Sequence, residues 1–181
     1  MRELILGGAR SGKSRCAEQR AAAWLASPGH RATLLATATA GDEEMAQRIA
    51  RHRTDRAHRV PQLLVREVPL ALPEALAEAG PGQLLVVDCL TLWMTNLHMP
   101  MDGGPLFDAP AREGALIDAL AALRCDVVLV SNEIGLGVMP QSPETRRFID
   151  ALGRLHQQVA ALCERVTLMV AGLELALKGV R

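Results

Sequence analysis

Leu4-Ile5-Leu6-Gly7-Gly8-Ala9-Arg10-Ser11-Gly12-Lys13-Ser14 joins a short apolar run to the pattern G-x-x-x-x-G-K-[ST] and leads straight into a stretch with helical spacing. A strand before and a helix after are the context in which this pattern means a phosphate cradle. Gly7, Gly8 and Gly12 let the backbone turn with its amides inward, so that N–H groups and the helix N-terminus hold phosphate oxygens where side chains would obstruct them. Ala9, Arg10 and Ser11 complete the loop. Lys13 is placed to bridge the outer phosphates, and the Ser14 hydroxyl to ligate Mg²⁺. The expected ligand is therefore a nucleoside triphosphate with its metal.

Outward from the cradle, short apolar runs alternate with longer amphipathic stretches. The runs are Leu4–Leu6, Thr33–Ala36, Leu63–Val68, Leu84–Val87, Val127–Val130 and Val166–Val170. Helical spacing is found near residues 13–26, 42–56, 70–79, 112–124 and 144–164. Strands alternating with crossover helices predict an α/β fold, a mostly parallel sheet with helices on both faces. With no compositional break and no internal repeat, residues 1–181 read as one domain. The Pro100–Pro110 segment is a loop, facing substrate or tolerated as an insertion.

Two strand ends carry carboxylates. Asp88 follows Leu84-Leu85-Val86-Val87 and is either the second metal ligand beside Ser14 or a cap of the next turn. Glu133, in Ser131-Asn132-Glu133, lies where open α/β sheets bind ligands, and is a base or a substrate contact.

The balance of 20 Lys+Arg against 20 Asp+Glu gives no charge-based reason to expect nucleic acid or an anionic membrane as partner. Two Trp, two Phe and no Tyr leave little for base-stacking platforms. Cys16, Cys89, Cys125 and Cys163 are too dispersed for a disulfide frame or zinc site and read as small apolar residues. No signal-peptide pattern and no run of about 18 apolar residues is seen, so a cytoplasmic protein is expected.

Arg48-Ile49-Ala50-Arg51-His52-Arg53-Thr54-Asp55-Arg56 is the densest basic stretch of the chain. On a helix Arg48, His52 and Arg56 share a face. Arginines beside an imidazole disfavour its charged form and attract phosphate, which suits a nucleophilic histidine. A solvated helix face with Glu43 and Glu44 as counter-charges fits the composition as well. His30 and His58 read as loop residues, and His98 and His156 show no evident partner.

The assembled motifs resemble the bifunctional adenosylcobinamide kinase / adenosylcobinamide-phosphate guanylyltransferase family of cobalamin biosynthesis. The likeness runs through residues 7–15, Leu35-Ala36-Thr37-Ala38, Arg48-Ile49 with His52-Arg53, Val87-Asp88-Cys89-Leu90-Thr91, Val130–Pro140 and Val170-Ala171-Gly172-Leu173. It implies a RecA-like P-loop domain that phosphorylates adenosylcobinamide with GTP or ATP. It implies in addition the transfer of GMP from GTP to the phosphate through a guanylyl-histidine at His52. Nucleotide contacts are implied at Gly7–Ser14, Ala36, Thr37, Ala38, Arg53, Thr54, Asp55, Arg56, Glu67 and Asp88, Mg²⁺ at Ser14 and Asp88, and assembly as a homotrimer. A P-loop kinase of another small molecule and a nucleotide-dependent interaction module are the rival readings.

Overall fold

The computed structural model describes residues 1–100 and 107–179. Most of the Pro100–Pro110 loop lies outside the described residues.

The first strand, β1 (Arg2–Gly7), is central and buried on both faces, which is why Leu4, Ile5 and Leu6 form a continuous apolar run. It runs parallel to β5 (Asp126–Asn132) on one side and to β6 (Arg165–Val170) on the other. Beyond β5 lie β4 (Gln83–Asp88), β2 (Arg31–Ala36) and β3 (Leu64–Glu67), all parallel. The edge strand β7 (Leu173–Lys178) is antiparallel to β6, so the order is β3-β2-β4-β5-β1-β6-β7.

Alternation along the strands separates two cores. Ile5, Leu34, Val86, Val128 and Val130 face α1 (Lys13–Leu25) through Cys16, Ala17 and Ala21. Leu4, Leu35, Leu85, Val87, Val127 and Leu129 face the other way. There they meet α3 (Leu72–Ala77), α4 (Leu90–His98), α5 (Ala109–Ala122) and α6 (Pro143–Leu162). Helices on both faces of a mostly parallel sheet are what the alternation of runs predicts.

The structure adds two elements. In α4, Leu90, Thr91, Trp93, Met94 and Leu97 are all buried, and a helix buried around most of its girth shows no stripe to read. The hairpin β6–β7 turns at Ala171 (φ 52°) and Gly172 (φ 80°). Two positive φ values suit a tight hairpin turn, but alanine in the first position hides the usual Asn-Gly or Asp-Gly signal.

The basic helix, α2 (Glu43–Arg59), is capped by the Asp42 carboxylate, which accepts from the Met45 N–H at 2.7 Å. It reaches past His58, which is helical rather than in a loop. Of its seventeen residues only Arg56 is buried.

A buried ionic cluster ties both ends of the chain to α1. Glu3 is fully buried and accepts from Arg20 at 3.0 Å and from the Thr167 hydroxyl at 2.9 Å, while Arg20 also reaches Glu174 at 2.7 Å. A carboxylate at such a site is tolerated only because each oxygen has a donor.

Candidate nucleotide-binding and transfer site

The cradle is the turn from β1 into α1. Gly7 has φ 153°, and a Cβ there would stand 2.5 Å from the Met169 carbonyl and 2.6 Å from Ser11 Oγ. Gly12 (φ 101°) precedes α1 with no side-chain cap, so the first helical N–H groups remain directed into the loop. The β6–β7 turn props the cradle from below, the Gly172 N–H donating to the Ser11 carbonyl at 3.0 Å.

Lys13 is buried, and its Nζ donates to the Gly8 carbonyl at 2.6 Å. Burial pulls its ammonium below the ordinary lysine value, against the opposing pull of Cys89 and Asp88, while Arg48 lowers it further. Burial holds the Cys89 thiol itself up at about 12. Ser14 follows Lys13 in the first turn of α1.

Asp88 ends β4, in register with Ala36 of β2 and Val130 of β5. Ala36 in turn pairs with Glu67, the last residue of β3. Thr37 lies just beyond and is fully buried, its N–H donating to the Asp88 carbonyl at 3.1 Å. The Thr37 hydroxyl donates to the Cys89 carbonyl at 2.7 Å and accepts from the Cys89 N–H at 2.8 Å. Asn96 on α4 donates to the Thr37 carbonyl at 2.8 Å. The side chain of Thr37 is thus committed to shaping the strand end beside Asp88. Ala38 continues the same segment.

The basic face of α2 is turned toward this edge of the sheet. Burial lowers the His52 pKa, the charge of Asp88 raises it, and Arg48, Arg51 and Arg56 lower it again. Asp88 therefore acts on both Lys13 and His52, and Arg48 acts on both as well. Along this face Arg48 is exposed, His52 half-buried and Arg56 buried, so the solvated-face reading holds for Arg48 and fails for Arg56. Arg53 forms an ion pair with Glu67, and Arg59 one with the buried Glu18. Thr54 donates to the Ala50 carbonyl at 3.2 Å and Asp55 pairs with Arg59 at 3.1 Å, so both are engaged along their own helix.

Two histidines without evident sequence partners have them in space. His98 Nε2 lies 2.8 Å from Glu113. His156 is buried, with Nε2 2.7 Å from Ser131 Oγ and Nδ1 3.8 Å from Glu133 Oε2. Their partners are 15 and 25 residues away along the chain, beyond the reach of local pattern reading.

A glycine-rich turn between a central parallel strand and a helix, a buried lysine at its end, and a carboxylate closing a nearby strand define a P-loop nucleotide-binding protein of the α/β class. Comparison with known proteins gives the particular family. Residues 3–177 match the family model described as cobinamide kinase / cobinamide phosphate guanyltransferase, and the chain belongs to that family. It is 50% identical over 180 residues to the bifunctional adenosylcobalamin biosynthesis protein CobP of Pseudomonas aeruginosa, covering 99% of this chain and 98% of that one. It is 37% and 35% identical to the CobU proteins of Escherichia coli and Salmonella typhimurium, each over 97% of this chain and 98% of the relative. A solved structure, the flagellar accessory protein FlaH from Methanocaldococcus jannaschii, superposes with a TM-score of 0.53 over 98% of this chain and 78% of that one. At 12% identity the likeness concerns the fold alone.

Proposed function

We propose that one cradle serves two transfers: a γ-phosphoryl passes to adenosylcobinamide, and a guanylyl group passes through His52 to the phosphate so formed. As a member of its family the chain is a transferase with adenosylcobinamide kinase and adenosylcobinamide-phosphate guanylyltransferase activities, using ATP and GTP. The observation that carries the single-cradle reading is that the Arg53–Glu67 ion pair sets α2, and His52 with it, against the strand ends where Glu67, Ala36 and Asp88 stand in register.

In the kinase step Lys13 and the loop amides of residues 7–14 stabilise charge on the transferring group. In the second reaction a neutral His52 nitrogen attacks the α-phosphorus of GTP, the bond to the bridging oxygen breaks, and pyrophosphate leaves with the electron pair. Arg53 and Arg56 are within the same helix turn as His52 and hold phosphate oxygens. A phosphate oxygen of adenosylcobinamide phosphate then attacks the same phosphorus, the N–P bond breaks, and adenosyl-GDP-cobinamide is formed. Ala36, Thr37, Ala38 and Glu67 line the strand ends beside the nucleotide.

Mg²⁺ fits Ser14 and Asp88, because this ion takes one or two protein oxygens and completes its shell with water and phosphate. Among the described residues no group of three His, Cys, Asp or Glu gathers as a metal site. Bound there, the ion would offset phosphate charge.

The placement of β5 between β1 and β4 supports a RecA-like order, and the one continuous sheet supports a single domain over 1–181. Val170, Leu173, Leu175 and Leu177 are exposed on the last hairpin, Leu173 to 74%, and offer an apolar surface for a homotrimer. Four free cysteines agree with a cytoplasmic setting, and no described helix is long and apolar enough to cross a membrane.

The test is incubation with α-labelled GTP and Mg²⁺. An acid-labile protein label is expected in the wild type and none in His52→Ala; a label that survives the substitution removes His52 from the mechanism.

A further inference from the structure

A groove of about 420 Å³ between residues 133–139 and α6 plays no part in the nucleotide chemistry above. Ile134, Met139, Ile149 and Leu152 make its apolar wall, and Glu133 and His156, with the exposed Asp150 and Arg154, are its ionisable groups. It adjoins the cradle, because the Glu133 N–H donates to the Gly7 carbonyl at 3.0 Å and β5 lies between the P-loop strand and the strand of Asp88.

The Glu133 carboxylate is held through one oxygen and faces a buried imidazole with the other. Its Oε1 accepts from the Gly135 N–H at 2.7 Å, and a Cβ on Gly135 would stand 3.1 Å from that oxygen. Its Oε2 faces His156 Nδ1 at 3.8 Å, beyond hydrogen-bond range, and so keeps its capacity to accept. Behind the imidazole, Ser131 Oγ lies 2.7 Å from Nε2 and 3.0 Å from Thr91 Oγ1, which accepts the Asn132 N–H at 2.7 Å. This chain leads from Glu133 into the core and ends on the backbone of β5. If Thr91 donates to Ser131, and Ser131 to Nε2, the single proton of a neutral imidazole is on Nδ1, facing Glu133. A carboxylate lining an apolar groove, with one oxygen fixed by a backbone N–H and the other open beside a buried imidazole, has the geometry that a base for a hydroxyl group needs.

We infer that Glu133 is the base that takes the proton from the acceptor hydroxyl in the kinase reaction, with the acceptor arm lying in this groove and His156 positioning the carboxylate. The inference rests on the kinase reading above. The hydroxyl O–H bond breaks toward Glu133, its electron pair forms the new bond to the γ-phosphorus, and the bond to the β,γ-bridging oxygen breaks. Nucleoside diphosphate leaves with that pair. The second transfer has no such requirement, since its acceptor is a phosphate oxygen that is already anionic.

That asymmetry is the experiment. In Glu133→Gln, kinase kcat on adenosylcobinamide falls by about 10²-fold or more. Guanylyl transfer to separately supplied adenosylcobinamide phosphate stays within about twofold of wild type, a change well below one factor of ten and so under 1.4 kcal/mol. It thereby certifies the fold of the same sample. His156→Leu lowers kinase kcat roughly tenfold with an unchanged KM for ATP, and His156→Gln, which keeps an N–H donor, recovers most of it. Undiminished kinase activity in Glu133→Gln, or parallel loss of both activities, overturns the assignment. A wild type that performs neither reaction overturns the functional reading, and this inference with it.

Discussion

The cradle and the basic helix that faces it are built on opposite plans. The loop of residues 7–14 is made of backbone, and α1 behind it buries Lys13, Cys16, Ala17, Glu18 and Ala21 on one face of the sheet. The helix α2 presents side chains, buries only Arg56, and is held over its C-terminal half by the Arg53–Glu67 and Arg59–Glu18 ion pairs. On the proposed mechanism, the part that would receive a triphosphate in both reactions is fixed by the core, and the part that the second reaction alone would require is attached chiefly by charge.

The comparison breaks first at Lys13. Lys13→Ala is expected to lower both activities by about 10²–10³-fold, the loss typical of one transition-state donor. Guanylyl transfer at the wild-type rate would mean that the two reactions use separate sites. The rigidity of the cradle is tested next by Gly7→Ala, whose Cβ would meet the Met169 carbonyl. We expect a loss of about 3 kcal/mol of stability, seen as a drop in Tm of roughly 6–12 °C. An unchanged Tm would show that the loop yields easily.

The charge of α2 is sharpened by pH. Burial and the arginines lower the pKa of His52, so its neutral, nucleophilic form persists below the ordinary 6.5. The rate of protein labelling by α-labelled GTP should fall only as pH drops through that lowered pKa. Arg48→Gln removes a charge that lowers it and should move the acid limb upward; Asp88→Asn should move it downward. A limb that neither variant moves would place the nucleophile elsewhere.

Smaller effects are expected at the outer edge of α2. The Arg53 and Glu67 side chains are 57% and 61% exposed, so Glu67→Ala should alter stability by less than about 1 kcal/mol in denaturant titration. A KM for GTP that rises several-fold in the same variant would identify a nucleotide contact rather than a structural pair. Raising the salt should weaken guanylylation relative to phosphorylation by a few-fold, because exposed ion pairs are screened and buried apolar packing is not. Equal inhibition of both would show that α2 is held by more than its charges.

How far the sequence could be read follows the same division. Residues 4–14 were legible because a single motif fixes strand, turn and helix together, and the runs at 84–87 and 127–130 were legible because strands of a parallel sheet are apolar on both faces. Helix α4 escaped because it is buried nearly all round, and β7 because Ala171 occupies a turn position that usually signals itself with asparagine or aspartate. Asp88 and Glu133 could be picked out as strand ends, and spacing put His52 with Arg48 and Arg56. That Asp88 acts on His52 is a matter of where α2 packs, which no local pattern encodes. The Glu133–His156–Ser131–Thr91 chain joins three elements and was invisible for the same reason.

The hairpin turn beneath the cradle has a bearing on how this protein is made. The strand that carries the loop is translated well before its register partners, which begin at Val127 and Arg165, and the Gly172 N–H that supports Ser11 follows later still. Loop closure over such distances is slow. On a ribosome the glycine-rich segment must wait, unsupported, until residue 172 has emerged from the exit tunnel. A nascent chain halted before that hairpin would carry the whole nucleotide motif and lack the turn that holds it in shape.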